Sequence, residues 1–270
     1  MESFLRGGKL KAIGNVIITG GSSGIGKYFI HQLRTLENRP LICNLSRSKP
    51  AENFINYPFY HLPCDLGQRN ELEAAAEKLI ELLQDRPGEI LLINNSGFGA
   101  YGFFPTPGIE EHLDMIDVNV KAVVHLTSLL LPLLKKRGGA IVNIASTAAF
   151  QPTPYMATYG ASKAFLLHWG LALGEELRKT GIQVLTICPG PTGTAFYRRA
   201  GFQEPVVPDA IGLSVEKVVA DSLKALDKGK KLAVPGMLNK FLATTSSRLP
   251  KSLAARIGER LLRQYSRPKK

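Results

Sequence analysis

The stretch that most constrains this chain is Asn15 to Leu33. Asn15-Val16-Ile17-Ile18-Thr19 is a short, largely β-branched apolar run that stops at Gly20-Gly21-Ser22-Ser23-Gly24-Ile25-Gly26, after which Tyr28, Phe29, Ile30 and Leu33 recur at helical spacing. Strand, glycine-rich turn and helix in that order make a βα unit whose turn can approach a phosphate. Glycines let the backbone come close, and the helix start offers unpaired N–H groups and a positive dipole end.

Strand and helix patterns then alternate, which is the mark of a parallel sheet covered on both faces. The strands are expected at 40–45, 59–62, 90–93, 140–144, 183–187 and 231–234. Helices are expected at 71–84, 114–134 with Pro132 near its end, 155–180 and 215–226. The alternation never pauses where a second domain could begin. The expected fold class is α/β: a single Rossmann-type, doubly wound parallel sheet of about seven strands with helices on both faces. Residues 1–235 form the dinucleotide-binding and catalytic domain, and residues 236–270 a basic amphipathic helical tail. In that tail Leu253, Ile257, Leu261 and Tyr265 recur every four residues, with Arg256, Arg260, Arg263 and Arg267 on other faces. Met237, Leu238, Phe241 and Leu242 make a shorter apolar patch upstream.

The net charge of +12 is a property of the tail. Residues 228–270 hold twelve Lys or Arg against the single Glu259, so residues 1–227 carry only about +1. No nucleic-acid partner is expected. Cys43, Cys64 and Cys188 lie far apart, form no CxxC, and fall in or beside apolar runs, as small buried thiols of a reducing compartment do. None of the five histidines pairs at ligand spacing, so no metal is assigned. No signal-peptide pattern is evident, and no apolar run reaches the roughly 18 to 20 residues of a spanning helix. The expected location is cytoplasmic, with membrane association through the tail as the variant.

In open α/β sheets ligands bind beyond the carboxyl ends of the strands, so the polar residues there are read together. They include Gly20 to Gly26, Ser46-Arg47-Ser48, Asp65, Asn94 to Gly97, Ser146 and Pro189 to Thr194. Inside the fourth helix, Tyr159 and Lys163 stand four apart, on one face and about 5 to 6 Å apart at Cβ. An ammonium held there favours the phenolate, moving the phenol toward the range where it exchanges a proton. Tyr155 is a rival phenol, but it has no lysine four residues on.

Thr19-Gly20-x3-Gly24-x-Gly26, Asn94-Asn95-Ser96-Gly97, Asn119, Ser146, Tyr159-x3-Lys163 and Pro189-Gly190 follow one another, with Ser146 preceding Tyr159 by 13 positions. In this ordered set, and over its length to about Pro235, the chain resembles the short-chain dehydrogenase/reductase family. Ser96 departs from the family's usual alanine, a substitution of nearly equal size.

The resemblance implies a catalytic tetrad. Tyr159 would be the general acid on a substrate carbonyl oxygen, and Ser146 a second donor to that oxygen. Lys163 would bind the nicotinamide ribose and lower the Tyr159 pKa, and Asn119 would support a water that relays protons toward Lys163. For the cofactor it implies Gly20, Ser22, Ser23, Gly24, Ile25 and Gly26 at the turn and Asp65 and Leu66 around the adenine. Asn94, Ser96 and Gly97 would follow, then Tyr159 and Lys163, and finally Pro189, Gly190, Thr192 and Thr194.

The dinucleotide is read at the end of the second strand. No Asp or Glu lies between Asn38 and Ala51, and Arg47 stands where an acid would accept from a ribose 2′-hydroxyl. A guanidinium suits a 2′-phosphate, so NADP(H) is expected. Phe98, Tyr101, Phe103, Phe104, Phe150, Tyr155, Phe196, Tyr197 and Phe202 follow the strands and would wall the cleft, which suggests a small hydrophobic carbonyl substrate: a ketone, aldehyde or 3-oxoacyl group. Residues 192–213, rich in Gly and Pro, would form a mobile lid. The expected protein is an NADPH-dependent reductase. The alternatives are a non-catalytic NADP(H)-binding regulatory protein, or a sugar-nucleotide epimerase of related fold. The family's usual state is a homo-oligomer, dimer or tetramer. The basic C-terminal helix would pack on its own domain or a second subunit, or else make peripheral membrane contact.

Overall fold

Side chains of the first strand alternate between two cores, and this decides the architecture. In the computed structural model, which describes residues 8–50, 54, 56–202, 212–263 and 265, Val16 and Ile18 of β1 (Ile13–Thr19) enter one core and Ile17 the other. Both sheet faces are therefore covered. Strands β2 (Leu41–Leu45), β4 (Glu89–Asn94) and β5 (Gly139–Ile144) are buried almost throughout, as parallel strands between helix layers must be.

With β3 (Phe59–Leu62), β6 (Ile182–Ile187) and β7 (Leu232–Ala233) they form a seven-stranded, wholly parallel sheet in the order β3-β2-β1-β4-β5-β6-β7. The order reverses between β1 and β4. That is the switch point where a crevice opens beyond the strand ends. Helix α1 (Gly24–Leu33) follows the glycine turn, α2 (Arg69–Leu83) follows β3, and α3 (Ile109–Ile116) leads through a π-helical turn, Asp117–Lys121, into α4 (Ala122–Arg137). A 3-10 turn, Thr147–Phe150, precedes α5 (Ala157–Glu176); α6 (Phe196–Arg199) and α7 (Val215–Asp227) follow β6. Ser214 caps α7, its hydroxyl accepting from Lys217 N at 3.2 Å. Helices α1 and α7 lie together, and α2 lies against α4.

Three expectations are corrected. The helix expected at 114–134 is the middle of a longer run, Ile109–Arg137, interrupted by the π turn. Pro132 does not end it, because Leu133 and Leu134 are buried beyond it and the carbonyl it leaves unpaired, on Ser128, is on an exposed residue. This run is also long and apolar enough to cross a membrane by length and composition, contrary to the sequence reading. Leu126, Leu130 and Leu134 nevertheless sit in the core under the sheet. Finally, the helix expected from Tyr155 begins at Ala157, since Tyr155 has φ +63° and cannot be helical.

Beyond β7 the tail forms two helices, α8 (Met237–Arg248) and α9 (Lys251–Arg263). Asn239 of α8 fills the space a Cβ would need at Gly190, and Ser246 donates to Gln151 Oε1 at 2.7 Å. From α9, Leu262 O accepts from Tyr101 Oη at 2.6 Å, and Glu259 accepts from Tyr155 Oη at 2.8 Å. The tail thus lies along residues 147–155, beside the carboxyl ends of β5 and β6.

Candidate active site

The glycine turn is braced from β4. Thr19 Oγ1 accepts from Asn95 N and Ser96 N, both at 3.0 Å, and Asn95 Nδ2 donates to Thr19 O at 2.9 Å. A Cβ on Gly26 would stand 2.4 Å from Gly20 O and 2.5 Å from Asn95 Nδ2, so only glycine lets α1 start this close to β1. Above Gly24 (φ +53°) the nearest atom to a Cβ position is Thr194 Cγ2 at 3.6 Å. The turn and the loop after β6 therefore face each other at van der Waals range, with the start of α1 below. That is the shape a pyrophosphate needs. Ser22, Ser23 and Ile25 are half-buried on this turn, and Gly21 N donates to Asn44 Oδ1 at 2.8 Å.

At the end of β2, Ser46 is locked between Asn44 Nδ2 and Ser48 O, both at 2.8 Å, while Arg47 is exposed and makes no ion pair among the described residues. Asp65 closes an Asx turn on Gly67 N at 3.0 Å, with Leu66 buried behind it. Asn94 has a structural job. Its Nδ2 donates to Asn143 Oδ1 at 2.9 Å and Thr127 Oγ1 at 3.2 Å, joining β4 to β5 and α4, while its Oδ1 is buried with no partner among the described residues. Asn95, which the sequence reading passed over, is the residue tied to the turn. Thr192 Oγ1 donates to Gly190 O at 2.9 Å, Thr194 Oγ1 accepts from Phe196 N at 3.2 Å, and Pro189 O accepts from Thr147 N at 2.9 Å.

The tetrad residues converge beside Gly97. A Cβ there would meet Asn119 Oδ1 at 2.9 Å and Lys163 Nζ at 3.0 Å. Asn119 lies in the π turn, a distortion that recurs at functional sites, and it is wholly buried rather than on a helix surface. Its amide donates to Phe98 O at 2.9 Å and to Ser162 Oγ at 3.0 Å; Ser162 in turn donates to Tyr159 O at 2.7 Å. Ser162 is a second residue the sequence reading missed, although it lies inside the Tyr159-x3-Lys163 motif.

Ser146 caps the 3-10 turn, accepting from Ala148 N at 3.1 Å, and its hydroxyl lies near enough to the Tyr159 phenol to lower the phenol's pKa. Lys163 Nζ donates to Ile144 O at 2.9 Å and lies 5.8 Å from the Tyr159 ring centre. The expectation that Lys163 lowers the Tyr159 pKa is overturned. Burial pushes Tyr159 up to about 12 against the opposing Ser146 hydroxyl, and burial pushes Lys163 down to about 8. Both groups are inside, and desolvation is the largest cause of each shift.

This gives a stability prediction. The folded-state pKa of Lys163, about 8, lies below its unfolded value, so the cost of burying its charge is fully present at neutral pH and is relieved as pH rises through about 8 toward the unfolded value. A shift of this size corresponds to about 3 kcal/mol. Lys163→Met should therefore melt at least about 3 °C above the wild type at neutral pH, with the gap narrowing toward alkaline pH. Thermal scans across pH check it; a variant less stable at every pH would contradict it.

Tyr155, the rival phenol, is turned to the tail, where it donates to Glu259 and its pKa is raised chiefly by that bond. Of the aromatics expected to wall the cleft, Phe98, Tyr101, Tyr155, Phe196, Tyr197 and Phe202 do pack in one cluster with Tyr159. Phe150 belongs to a different cluster, and Phe103 and Phe104 are 70% and 67% exposed because their loop lies outside the sheet's end. Of the expected lid, residues 203–211 lie outside the described residues. In its described part, the Phe196 ring lies tilted 5.2 Å from that of Tyr159 and Arg199 Nη2 donates to Ser23 Oγ at 3.2 Å, so α6 spans from the phenol to the glycine turn.

The three cysteines are buried, and burial raises Cys43 and Cys188 to about 12 and Cys64 to about 11. None should react with a disulfide-exchange reagent in the native protein, whereas three thiols should titrate after denaturation.

A glycine-lined turn at the switch point of a parallel sheet, with a phenol, a hydroxyl and an ammonium gathered beside it, defines a dinucleotide-dependent dehydrogenase or reductase. The chain belongs to the short-chain dehydrogenase family, whose model matches residues 14–204. It is 34% identical over 220 residues to the uncharacterized oxidoreductase DltE of Bacillus subtilis, covering 80% of this chain and 85% of that one. It is 32% identical over 226 residues to the ketoacyl reductase HetN of a Nostoc species, covering 80% and 75%. Among solved structures, a short-chain dehydrogenase from Sphingobium yanoikuyae in complex with NADPH superposes with a TM-score of 0.71 at 27% identity, covering 89% of this chain and 98% of that one.

Proposed function

We propose that this protein is an NADPH-dependent reductase of hydrophobic carbonyl compounds, acting on a ketone, an aldehyde or a 3-oxoacyl group. The observation that carries the reading is Tyr159: a phenol buried in an aromatic cluster, beside Ser146 and against Gly99, with α6 spanning from its ring to the glycine turn. The turn residues Gly20 to Gly26, with Gly97 and Thr194, fit a dinucleotide. Arg47, exposed at the end of β2 with no carboxylate nearby in sequence, fits a 2′-phosphate. The relatives' names point the same way: one is a ketoacyl reductase and one was solved with NADPH.

NADPH, when bound, supplies the hydride. The chain's own groups supply the rest. Tyr159 holds its proton at neutral pH, because burial keeps its pKa high, and gives it to the carbonyl oxygen as negative charge develops there. That protonation state suits reduction; the reverse reaction would need a base. Ser146 donates to the same oxygen and keeps it in place. Lys163 holds the ribose hydroxyls, and Asn119 anchors the strand-end turn from the π segment while supporting the water that returns a proton. The aromatic rings exclude water and receive the apolar body of the substrate.

A series of carbonyl compounds from short ketones to long 3-oxoacyl thioesters, scored by NADPH oxidation, tests the substrate class. KM should fall as the apolar part lengthens, by about three-fold or more per added methylene pair at first. A preference for the short, polar members would remove the hydrophobic-substrate reading.

A further inference from the structure

Helices α8 and α9 each bury one narrow face and leave another unpartnered. On α9, Ala254, Gly258 and Leu262 turn toward the domain, as does Tyr265 just beyond the helix, with Gly258 lying against Pro152 and Pro154. Leu253, Ile257 and Leu261, one position earlier in each turn, stay 44%, 42% and 62% exposed. On α8, Asn239 and Ala243 are buried while Met237 and Phe241 are 91% and 65% exposed, with Leu238 and Leu242 beside them. Seven large apolar side chains in two adjoining helices are more than scattered surface residues.

Charge identifies what covers them. On α9, Arg256 and Arg260 border the Leu253-Ile257-Leu261 row on the side away from the domain, by the helical period. Lys240 and Arg248 rise from α8, and none of these four makes an ion pair among the described residues. The tail's single acid, Glu259, is already bonded to Tyr155 and lies near Arg263. A second copy of this chain would bring the same basic border against itself. A bilayer with anionic headgroups instead receives the apolar rows into its acyl boundary and pairs phosphates with the guanidinium groups.

The structure assigns α8 and α9 as an anionic-membrane docking surface that seats the active-site mouth on the lipid. This deepens the proposed reductase reading by naming a lipid in the bilayer as the source of its carbonyl substrate. The position fits. Phe103 and Phe104 rim a half-open cavity of about 350 Å³ whose wall includes Tyr155, Glu259 and Arg263. From exposed Phe103 the rings of Tyr155, Tyr101, Phe202, Tyr197, Phe196 and Tyr159 follow one another at centre distances between 4.1 and 5.8 Å. An apolar seam thus joins the tail to the catalytic phenol.

The full-length protein should co-sediment with vesicles of phosphatidylcholine mixed with phosphatidylglycerol, much less with phosphatidylcholine alone, and should be released by high salt. Met237→Ser with Phe241→Ser, or Leu253→Ser with Ile257→Ser and Leu261→Ser, should weaken the vesicle affinity at least about 30-fold. Arg256→Gln with Arg260→Gln should weaken it by about 30-fold on anionic vesicles, two charges at about 1 kcal/mol each. All variants should keep wild-type NADPH oxidation with a small water-soluble ketone. That readout separates failure of docking from failure of the reductase reading. No binding to anionic vesicles, equal binding to both vesicle types, or apolar variants that change the sedimentation mass of the protein while leaving vesicle binding intact would overturn the assignment; the last would make a second copy the occupant.

Discussion

Replacing Tyr159 with Phe should lower kcat for carbonyl reduction by about 1000-fold, the usual scale for removing a positioned acid, while leaving the Kd for NADPH within about two-fold. The ring that packs 5.2 Å from Phe196 and against Gly99 is retained, so the fold and the cluster survive. Only the hydroxyl is lost, and with it the proton the carbonyl oxygen requires. Because only one hydroxyl is removed and the ring packing is kept, the melting temperature should stay within about 3 °C of the wild type. Single-turnover kinetics and NADPH fluorescence titration on the same preparation check both halves. A fall in kcat of less than ten-fold would mean another group delivers the proton. The leading rival is already weakened, since Tyr155 Oη donates to Glu259 and its ring lies nearer the tail.

The second large effect is expected at Arg47. Arg47→Asp should reverse the cofactor preference, lowering kcat/KM with NADPH by about 100-fold and raising it with NADH. A charge-assisted pair with the 2′-phosphate, at about 1.5–3 kcal/mol, is replaced by repulsion in one case and by an acceptor for the ribose hydroxyl in the other. The loop itself should not move, because Ser46, with its bonds to Asn44 and Ser48, fixes the end of β2 independently of the arginine. Steady-state kinetics with both cofactors at saturating ketone measure the switch. An unchanged NADPH preference would place the phosphate elsewhere, and Lys49, exposed two residues on, would be examined next.

The parallel sheet was legible because its central strands are uninterrupted apolar runs, each ending in a polar or glycine cluster, and burial on both faces enforces that pattern. The cluster of Ser146, Tyr159 and Lys163 was legible because Ser146 follows the end of β5 while Tyr159 and Lys163, four apart, share one face of α5. What could not be read depends on direction and on depth. Asn94 and Asn95 are adjacent and chemically identical, yet their side chains take opposite jobs, one tying β4 to β5 and the other bracing the glycine turn. The π turn around Asn119 leaves the apolar periodicity of Ile109–Arg137 nearly intact, so nothing in the sequence marks the extra residue that buries this amide. The sign of the Tyr159 shift was misjudged because spacing along a helix gives the distance to Lys163 but not the desolvation of both groups.

The most direct test of the central claim is to count product against cofactor with one long-chain hydrophobic ketone or 3-oxoacyl thioester. One alcohol should form for each NADPH consumed, and none in the Tyr159→Phe protein over the same period. Tight NADPH binding with no carbonyl-dependent consumption across the whole substrate series would contradict it, leaving a protein that holds the dinucleotide without turning it over.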